Sequence, residues 1–523
     1  VRRALGRRVP ARGGKRPQWS MGSGAQNESA TFTTDGGRRV QTEIERTYDV
    51  DAETHLPDLT GAGPVAAIRA EKPVALRAEY FDTADRALSR ARITLRRREG
   101  GADQGWHVKL PGAVGRTEIH VPLTETRTVP FAVRDAVLGH VGHAPLEPLA
   151  RLETVRSITR ACDADGRQLA EIADDLVVAH DERTGRERRW REWEVELVET
   201  AGEEGEAVLD AIEQRLFAGG ARSAASASKL ARATGGPIDD SVPEPRDGGE
   251  AALAAVRSLL GELRAVDPSV RLGADGALHR MRVLTRRLRC VLAASRSVLD
   301  RAATDPLRAE LGWLGGVLGS ARDQEVLGVR LRTPIDGAPS LPSALLDAIE
   351  RRHAAALDHV AHTLRGERYL ALLASLDALL AESPRTATAA SSARRVVRRS
   401  VKKDLTRIAA ARAAAKGGSL EARHDLRKAA KRLRYTVEAW RAVVPATVGA
   451  RRRSLAKAGE ALADALGEER DALAVRELIL HEGDRSGDGA FALGAMFAEE
   501  SHRAERAATS ARKALARLES LSS

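Results

Sequence analysis

The feature that most limits what this chain can become is a helical pattern written twice. "HRMRVLTRRLRC", from His279, and "HDLRKAAKRLRY", from His424, stand 145 residues apart. A second pair follows at almost the same offset: "LGSARDQEVL" from Leu318 and "LGEERDALAV" from Leu466, 148 apart. Two ordered signatures repeated at one spacing predict an internal duplication of helical units. On a helix, His279, Arg282, Arg286 and Arg289 fall at i, i+3, i+7 and i+10 and form one stripe. His424, Arg427, Lys431 and Arg434 repeat it, with Leu288 and Leu433 on the packing flank. Like charges stacked this way repel by a few tenths of a kcal/mol per pair. A solvated basic face with acids supplied elsewhere is one reading, and a groove for a polyanion is the other.

Charge distribution favours the groove. Residues 250–523 hold 47 Lys/Arg against 33 Asp/Glu, a net +14, out of +11 for the whole chain of 523 residues. Residues 40–232 hold 27 against 34, a net −7. A cationic module attracts nucleic acid, an anionic membrane or polyphosphate. Single-strand nucleic-acid binders interleave aromatics with bases for stacking. Tyr435 is the only aromatic in either stripe, which argues against nucleic acid, although duplex binding through phosphates alone stays open. "ARRVVRRSVKKDLTR", from Ala393, adds basic density.

The length predicts two or three domains. Residues 1–39, rich in Gly, Ser, Thr and Arg, read as a disordered basic tail without an apolar signal region. "ATGGPIDDSVPEPRDGG", 233–249, reads as a linker between 40–232 and the helical half 250–523. Cys162 and Cys290 form no metal-spaced pair. No long apolar run predicts a membrane span, so a cytoplasmic protein is the default expectation.

Residues 40–232 alternate with period two. "VQTEIERTYDV" puts Glu43, Glu45 and Thr47 opposite Ile44. "RITLRRRE" groups Thr94, Arg96 and Arg98. "EWEVEL" groups Glu192, Glu194 and Glu196 against Trp193, Val195 and Leu197. Glu171 shares a face with Asp175 in "LAEIADDLVVAH". "GWHVKLPG" and "RTEIHVPL" read as further strands, and "EAVLDAIEQRLFAG" as an amphipathic helix. An ordinary sheet with a solvated charged face explains any one strand. Strands that specialise as acidic or basic instead suit a closed barrel, apolar outside and charged within. Carboxylates would hold a hard cation and Arg/Lys a phosphate.

In order, "EIERT", "YFDT", "LRRRE", "HVKLPG", "EIADD", "EWEVEL" and "SASKLAR" resemble the CYTH domain of the triphosphate tunnel metalloenzymes, over about 40–232. The resemblance implies an α+β domain built on an eight-stranded antiparallel tunnel. Its members bind triphosphate or polyphosphate with Mg²⁺ or Mn²⁺, and most are hydrolases of phosphoanhydrides. It implies that Glu43, Glu45, Glu194 and Glu196 are catalytic, and that these four with Glu171 and Asp175 ligate metal. It implies phosphate contacts from Arg96, Arg98, Lys109, Arg116, Arg156 and Lys229. Thr47 stands where the family's E-x-E-x-K hallmark has lysine. It can hydrogen-bond phosphate but adds no charge.

The paired "HxxR…RRLR" and "LGxxRD" motifs resemble the CHAD domain, a conserved-histidine α-helical domain of two duplicated bundles, over about 250–515. That resemblance implies polyphosphate binding by His279, Arg282, Arg286, Arg289, His424, Arg427, Lys431 and Arg434, and association with polyphosphate granules. Histidines near neutral pKa would make binding pH-sensitive. Arg322–Asp323 and Arg470–Asp471 are expected to fix helix packing. Two functions follow: metal-dependent hydrolysis of triphosphate or polyphosphate, or polyphosphate binding without catalysis.

Overall fold

The computed structural model describes residues 32–34, 38–112, 115–198, 203–226, 228–238, 244–417, 419–482 and 487–522. They fall into two compact units divided between Asp240 and Ser241. The division lies within the Gly/Pro/Asp segment, where α4 (Lys229–Ala233) ends and α5 (Gly248–Arg271) begins. Asp247 caps α5 by accepting from the Glu250 amide at 2.8 Å.

The first unit contains β1 (Phe32–Thr34), β2 (Arg38–Glu43), β3 (Glu45–Val50), β4 (Ala67–Ala70), β5 (Val74–Asp82), α1 (Ala87–Arg90), β6 (Thr94–Glu99), β7 (Gly105–Pro111) and β8 (Arg116–Val121). These are followed by α2 (Phe131–Val141), β9 (Glu147–Cys162), β10 (Gln168–Asp181), β11 (Arg186–Leu197), α3 (Glu203–Ala218), β12 (Arg222–Ser223) and α4. Every pairing is antiparallel, in the order β1-β2-β8-β7-β6-β5-β9-β10-β11-β3-β12, with β4 beside β9. Only Ile44 separates β2 from β3. Because β2 pairs with β8 and β3 with β11, this single bent strand closes the ring. With β5 to β11 it makes the eight-stranded antiparallel tunnel. The tail read from composition is corrected: Phe32–Thr34 pairs with β2, and Arg38 and Arg39 are already strand. Residues 1–31 and 35–37 lie outside the described residues.

The apolar residues that alternate with the charges face outward, under helices. Tyr48, Val50, Ile172, Trp193 and Val195 form a core with Val208, Leu209, Ile212 and Leu216 of α3. Each such buried side chain contributes about 1.5–3 kcal/mol. Trp106, Val108 and Ile119 are fully buried on β7 and β8, the strands that α2 packs against. The charges are thereby left to the inside, the reverse of a half-exposed sheet.

The second unit is helical: α5, α6 (Ala277–Ala294), α7 (Arg301–Arg332), α8 (Ser343–Arg365), α9 (Glu367–Glu382), α10 (Ala393–Ala415), α11 (Leu420–Val443), α12 (Ala450–Glu482) and α13 (Gly487–Ser522). Successive helices pack in two matching series, α5 to α8 and α10 to α13, and α6 packs on α11. Met281, Leu284, Leu288 and Val291 form the buried stripe of α6, and Leu426, Ala429, Ala430, Leu433 and Val437 that of α11. No described helix is long and apolar enough to cross a membrane.

Candidate functional site

Strand register sorts the tunnel charges by sign. On β6 and β7, Arg96 stands across from His107 and Thr94 from Lys109. On β10, β11 and β3, Asp175 stands across from Glu192, Glu194 from Thr47, and Glu196 from Glu45. Acids therefore dominate β3, β10 and β11 and bases dominate β6 and β7, with Glu43 of β2 and Glu118 of β8 set among the bases. Arg156 on β9 reaches the acids: its guanidinium donates to both oxygens of Asp175 (2.8 and 2.7 Å) and to Glu194 at 2.7 Å.

The acids form two groups rather than one. In the first, carboxylate oxygens of Asp175, Glu192 and Glu194 lie within 4.8 Å of one another. Asp175 and Glu192 are 0% and 1% exposed. The Lys229 ammonium stands among them, 2.9 Å from Asp175, 2.7 Å from Glu192 and 2.5 Å from Glu194. It is placed by α4, whose Leu230 and Ala233 pack on Tyr80, Ala150, Leu152, Val177 and Ala179. Burial lowers the Lys229 pKa, but Glu194, Asp175 and Glu192 outweigh it and the result is raised. Burial raises Glu194, yet Lys229 and Arg156 hold it well below the usual carboxylate range.

In the second group Lys109 lies 2.6 Å from Glu43 and 3.3 Å from Glu45. Arg116 approaches Glu45 to 3.8 Å. Gly115, at φ +68°, makes this approach possible, because a Cβ there would lie 2.1 Å from the Glu43 carbonyl oxygen. Burial, then the neighbouring Glu43, push Glu196 up to about 8. That elevation marks negative charge which Lys109 does not fully answer. A cavity of about 410 Å³ opens here, lined by Glu43, Glu45, Thr47, Gly115, Arg116 and Ser223 among others.

Of the six acids expected to ligate metal together, Asp175 and Glu194 meet, whereas Glu43, Glu45 and Glu196 belong to the second group. Glu171, opposite Glu196 in register, has Arg160 at 3.9 Å. Glu192, visible in the "EWEVEL" alternation, belongs in the first group. Glu118 and His107 are further lumen residues beyond the expected set. Glu118 accepts from Gln41 at 3.3 Å and lies 3.8 Å from Arg96. The His107 ring nitrogens lie 2.9 Å from Glu118 and 3.0 Å from the Asp103 carbonyl. Burial, then Arg96 and Arg98, hold its pKa far below the usual imidazole value. The "RTEIHVPL" alternation was the signal for Glu118, and that of "GWHVKLPG", which puts His107 on the face of Lys109, was the signal for His107. Arg98, beside Asp103, is pushed down by burial and by Arg96 and Arg156. Mutually repelling cations and a cluster of acids within one lumen can accept an anion together with a cation.

In the helical unit the two stripes meet where α6 packs on α11. Burial, then Arg427, Arg286 and Arg282, push the Lys431 ammonium down to about 7. The two sequence signatures also meet. Gly319 and Gly467, from the two "LG" motifs, lie under the guanidinium groups of Arg282 and Arg427: a Cβ would stand 3.6 and 2.7 Å from their Nη2 atoms. Arg427 Nε donates to the Ala463 carbonyl at 3.2 Å. Asp323 accepts from Arg282 at 3.3 Å and lies 3.6 Å from Arg470, tying the repeats together. Arg286 and Lys431 form no ion pair among the described residues, although the Asp464 charge reaches Lys431. Arg289 is exposed. Arg434 is engaged by Glu438 (2.7 Å) and Glu460 (2.9 Å).

Both leading histidines depart from expectation. Burial, then nearby cations, lower His279 (Arg322, Arg282) and His424 (Lys428, Arg427). Both imidazoles are thus harder to protonate than a free one, and the strongest downward push in the two stripes falls on Lys431.

The CYTH domain family matches residues 41–233, and the CHAD domain family residues 254–480. The uncharacterized protein Rv2226 of Mycobacterium tuberculosis is 34% identical over 505 residues, covering 91% of this chain and 96% of that protein. Among solved structures, the CHAD domain of the plant Ricinus communis is 25% identical, covering 54% of this chain and 96% of its own, with a TM-score of 0.43. The Hippeastrum protein HpAC1, named for adenylyl cyclase and described as having a dominant triphosphatase activity, is 17% identical. It covers 38% of this chain and 97% of its own, with a TM-score of 0.25.

Proposed function

The chain belongs to the CYTH and CHAD families, and on that premise we propose that its tunnel hydrolyses inorganic triphosphate or polyphosphate with Mg²⁺ or Mn²⁺ while the helical domain binds polyphosphate. The observation that carries the reading is the convergence of Asp175, Glu192 and Glu194 beside Arg156, inside a ring where bases dominate β6 and β7.

A divalent cation fits the donor set. The ligands are hard oxygens. Glu192 Oε1 and Glu43 Oε2 are buried at ion-pair distance from a lysine but without hydrogen-bond alignment. Asp175, Glu192 and Glu194 would hold one cation, and Glu43, Glu45 and Glu196 offer a second seat. A bound cation would neutralise non-bridging phosphate oxygens and polarise the phosphorus. Arg96, Arg98, Lys109, Arg116 and Arg156 then grip the phosphate chain, for which the planar guanidinium fork is suited. Without a cation, Lys229 and Arg156 hold Glu194 low while burial and Glu43 raise Glu196 to about 8; a cation in the second seat would displace that proton. Two carboxylates held apart in this way can divide acid and base roles. Thr47 leaves no charge at its position, but the nearest acids already have ammonium partners in Lys109 and Lys229.

Thr47 also favours a second reading, a polyphosphate-binding protein whose tunnel does not turn over. A substrate panel with metal titration separates the two. Phosphate release from tripolyphosphate or polyphosphate, dependent on Mg²⁺ or Mn²⁺ and lost on chelation, is the expected result. No release from these or from nucleoside triphosphates at any metal concentration leaves only the binding reading.

For the helical site we expect affinity for polyphosphate to be flat below pH 7 and to fall above it. Phosphate favours the Lys431 ammonium, so above its free pKa of about 7 binding must take up a proton. The loss approaches tenfold per pH unit until the pKa of the bound state is passed. Lys431→Arg should remove the slope, because guanidinium keeps its proton. An unchanged slope in that variant would mean another group titrates.

A further inference from the structure

Helix α10 carries a charged face that neither site explains. Arg394, Arg395, Arg398, Arg399, Lys402 and Lys403 are all exposed and have no ion pair among the described residues. They recur as adjacent pairs every four residues, making two parallel rows over about 14 Å of helix. The one acid of α10, Asp404, is buried. It accepts from Arg432 (2.7 Å), Arg407 (2.9 Å) and Thr436 (2.8 Å), so it cannot neutralise the face. Packing of the duplicated unit does not require such a face. Helix α5, the counterpart ahead of α6, mixes Arg257, Arg264 and Arg271 with Glu250, Glu262 and Asp267. Like charges at i, i+4 destabilise a helix, so α10 carries a standing repulsion that an anion relieves.

The helix that carries this face packs against the end of α6. Ser400 on α10 donates to the Ala294 carbonyl, the last residue of α6, at 3.2 Å. Cys290, beside the exposed Arg289, feels the charges of Arg432 and Asp404. The packing face of α10 thus meets the end of the helix that carries Arg282, Arg286 and Arg289, and its exposed rows flank that junction on the solvent side. The apolar residues Val396, Val397, Val401 and Ile408 are all buried, so the face offers nothing to insert into a lipid surface. The helix has no aromatic on which a base could stack. A bare linear phosphate chain is the polyanion that needs neither.

We infer that α10 is a second track for linear inorganic polyphosphate, taking up the part of a long chain that extends beyond the α6–α11 seam, so that the domain holds long chains more tightly than short ones. This rests on the reading of that seam as a phosphate site. The test uses the full chain carrying Arg398→Gln, Arg399→Gln, Lys402→Gln and Lys403→Gln together. Tripolyphosphate, long-chain polyphosphate, duplex DNA and anionic phosphatidylserine vesicles are each titrated across a salt series. For long chains the slope of log affinity against log salt should fall by about 3, from four lost contacts at roughly 0.7 each. Affinity at low salt should fall about tenfold or more, and tripolyphosphate binding should stay within twofold, which also reports an intact fold. The inference is overturned if long-chain binding is unchanged, if both lengths weaken equally, or if the loss falls on DNA or vesicles instead. If the quadruple variant loses its cooperative melt, the pair Lys402→Gln and Lys403→Gln is measured, with half the slope change expected. Failure of the seam itself would look different: Arg282→Glu with Arg427→Glu would leave polyphosphate binding untouched.

Discussion

Glu194→Gln is expected to lower kcat/KM for tripolyphosphate by about 10²–10³-fold, the scale seen when one preorganised electrostatic group is removed from a reaction centre. The side chain is nearly isosteric, so the tunnel keeps its shape while losing one charge. That charge lies 2.5 Å from Lys229 and 2.7 Å from Arg156, and it is one of three carboxylates that would seat a cation. The amide can still accept one hydrogen bond, but it cannot balance two buried cations. Lys229 and Arg156 should then turn more fully to Asp175 and Glu192, drawing both away from a metal. The metal concentration needed for half-maximal rate should therefore rise along with the fall in kcat. Steady-state kinetics over a Mg²⁺ or Mn²⁺ titration reads both. A rate within twofold of the unmodified protein would remove Glu194 from the reaction, and long-chain polyphosphate binding should not change in either case.

Arg282→Glu combined with Arg427→Glu is expected to weaken long-chain polyphosphate binding by about 10²-fold or more, since losing and reversing desolvated charge contacts costs about 2–5 kcal/mol. Each guanidinium lies over the glycine of the partnering motif, and both help push Lys431 down to about 7. Reversal replaces an excess of cations with two acids near Asp323 and Asp471, so a bound anion meets repulsion. Turnover of tripolyphosphate in the tunnel should stay within twofold. Equal loss of turnover and binding would count against two independent sites. The milder Arg282→Gln with Arg427→Gln keeps the result interpretable if added acids loosen the helices. A competition measurement accompanies it: duplex DNA that displaces polyphosphate at equal phosphate concentration would remove the polyphosphate assignment.

Much of the candidate site could be read along the chain because strand and helix periodicities are local. "EWEVEL" puts three acids on one face whatever surrounds it, and "RITLRRRE" does the same for Arg96 and Arg98. The strands least legible were those without clean alternation. β9, "EPLARLETVRSITRAC", breaks its pattern with Arg and Thr on both faces, yet it supplies Arg156 and pairs with β4, β5 and β10. Ile44 gave no hint of a bend, although that single residue closes the tunnel.

The sequence by itself determined the duplication, the division of charge between the halves, and which residue types line the strands. These follow from spacing along one chain, and 3.6- and 2-residue periods convert spacing into faces without reference to a partner. Tertiary structure alone decided which charges meet. Glu192 joined Asp175 and Lys229 through strand register, and Glu43 was separated from Asp175 by the curvature of the ring. The "HxxR" and "LGxxRD" signatures proved to be two halves of one contact, arginine over glycine. The downward push on Lys431, which underlies the expected pH dependence, has the same origin. A pKa is set by burial and by every charge within reach, and most of those charges come from helices far away in sequence.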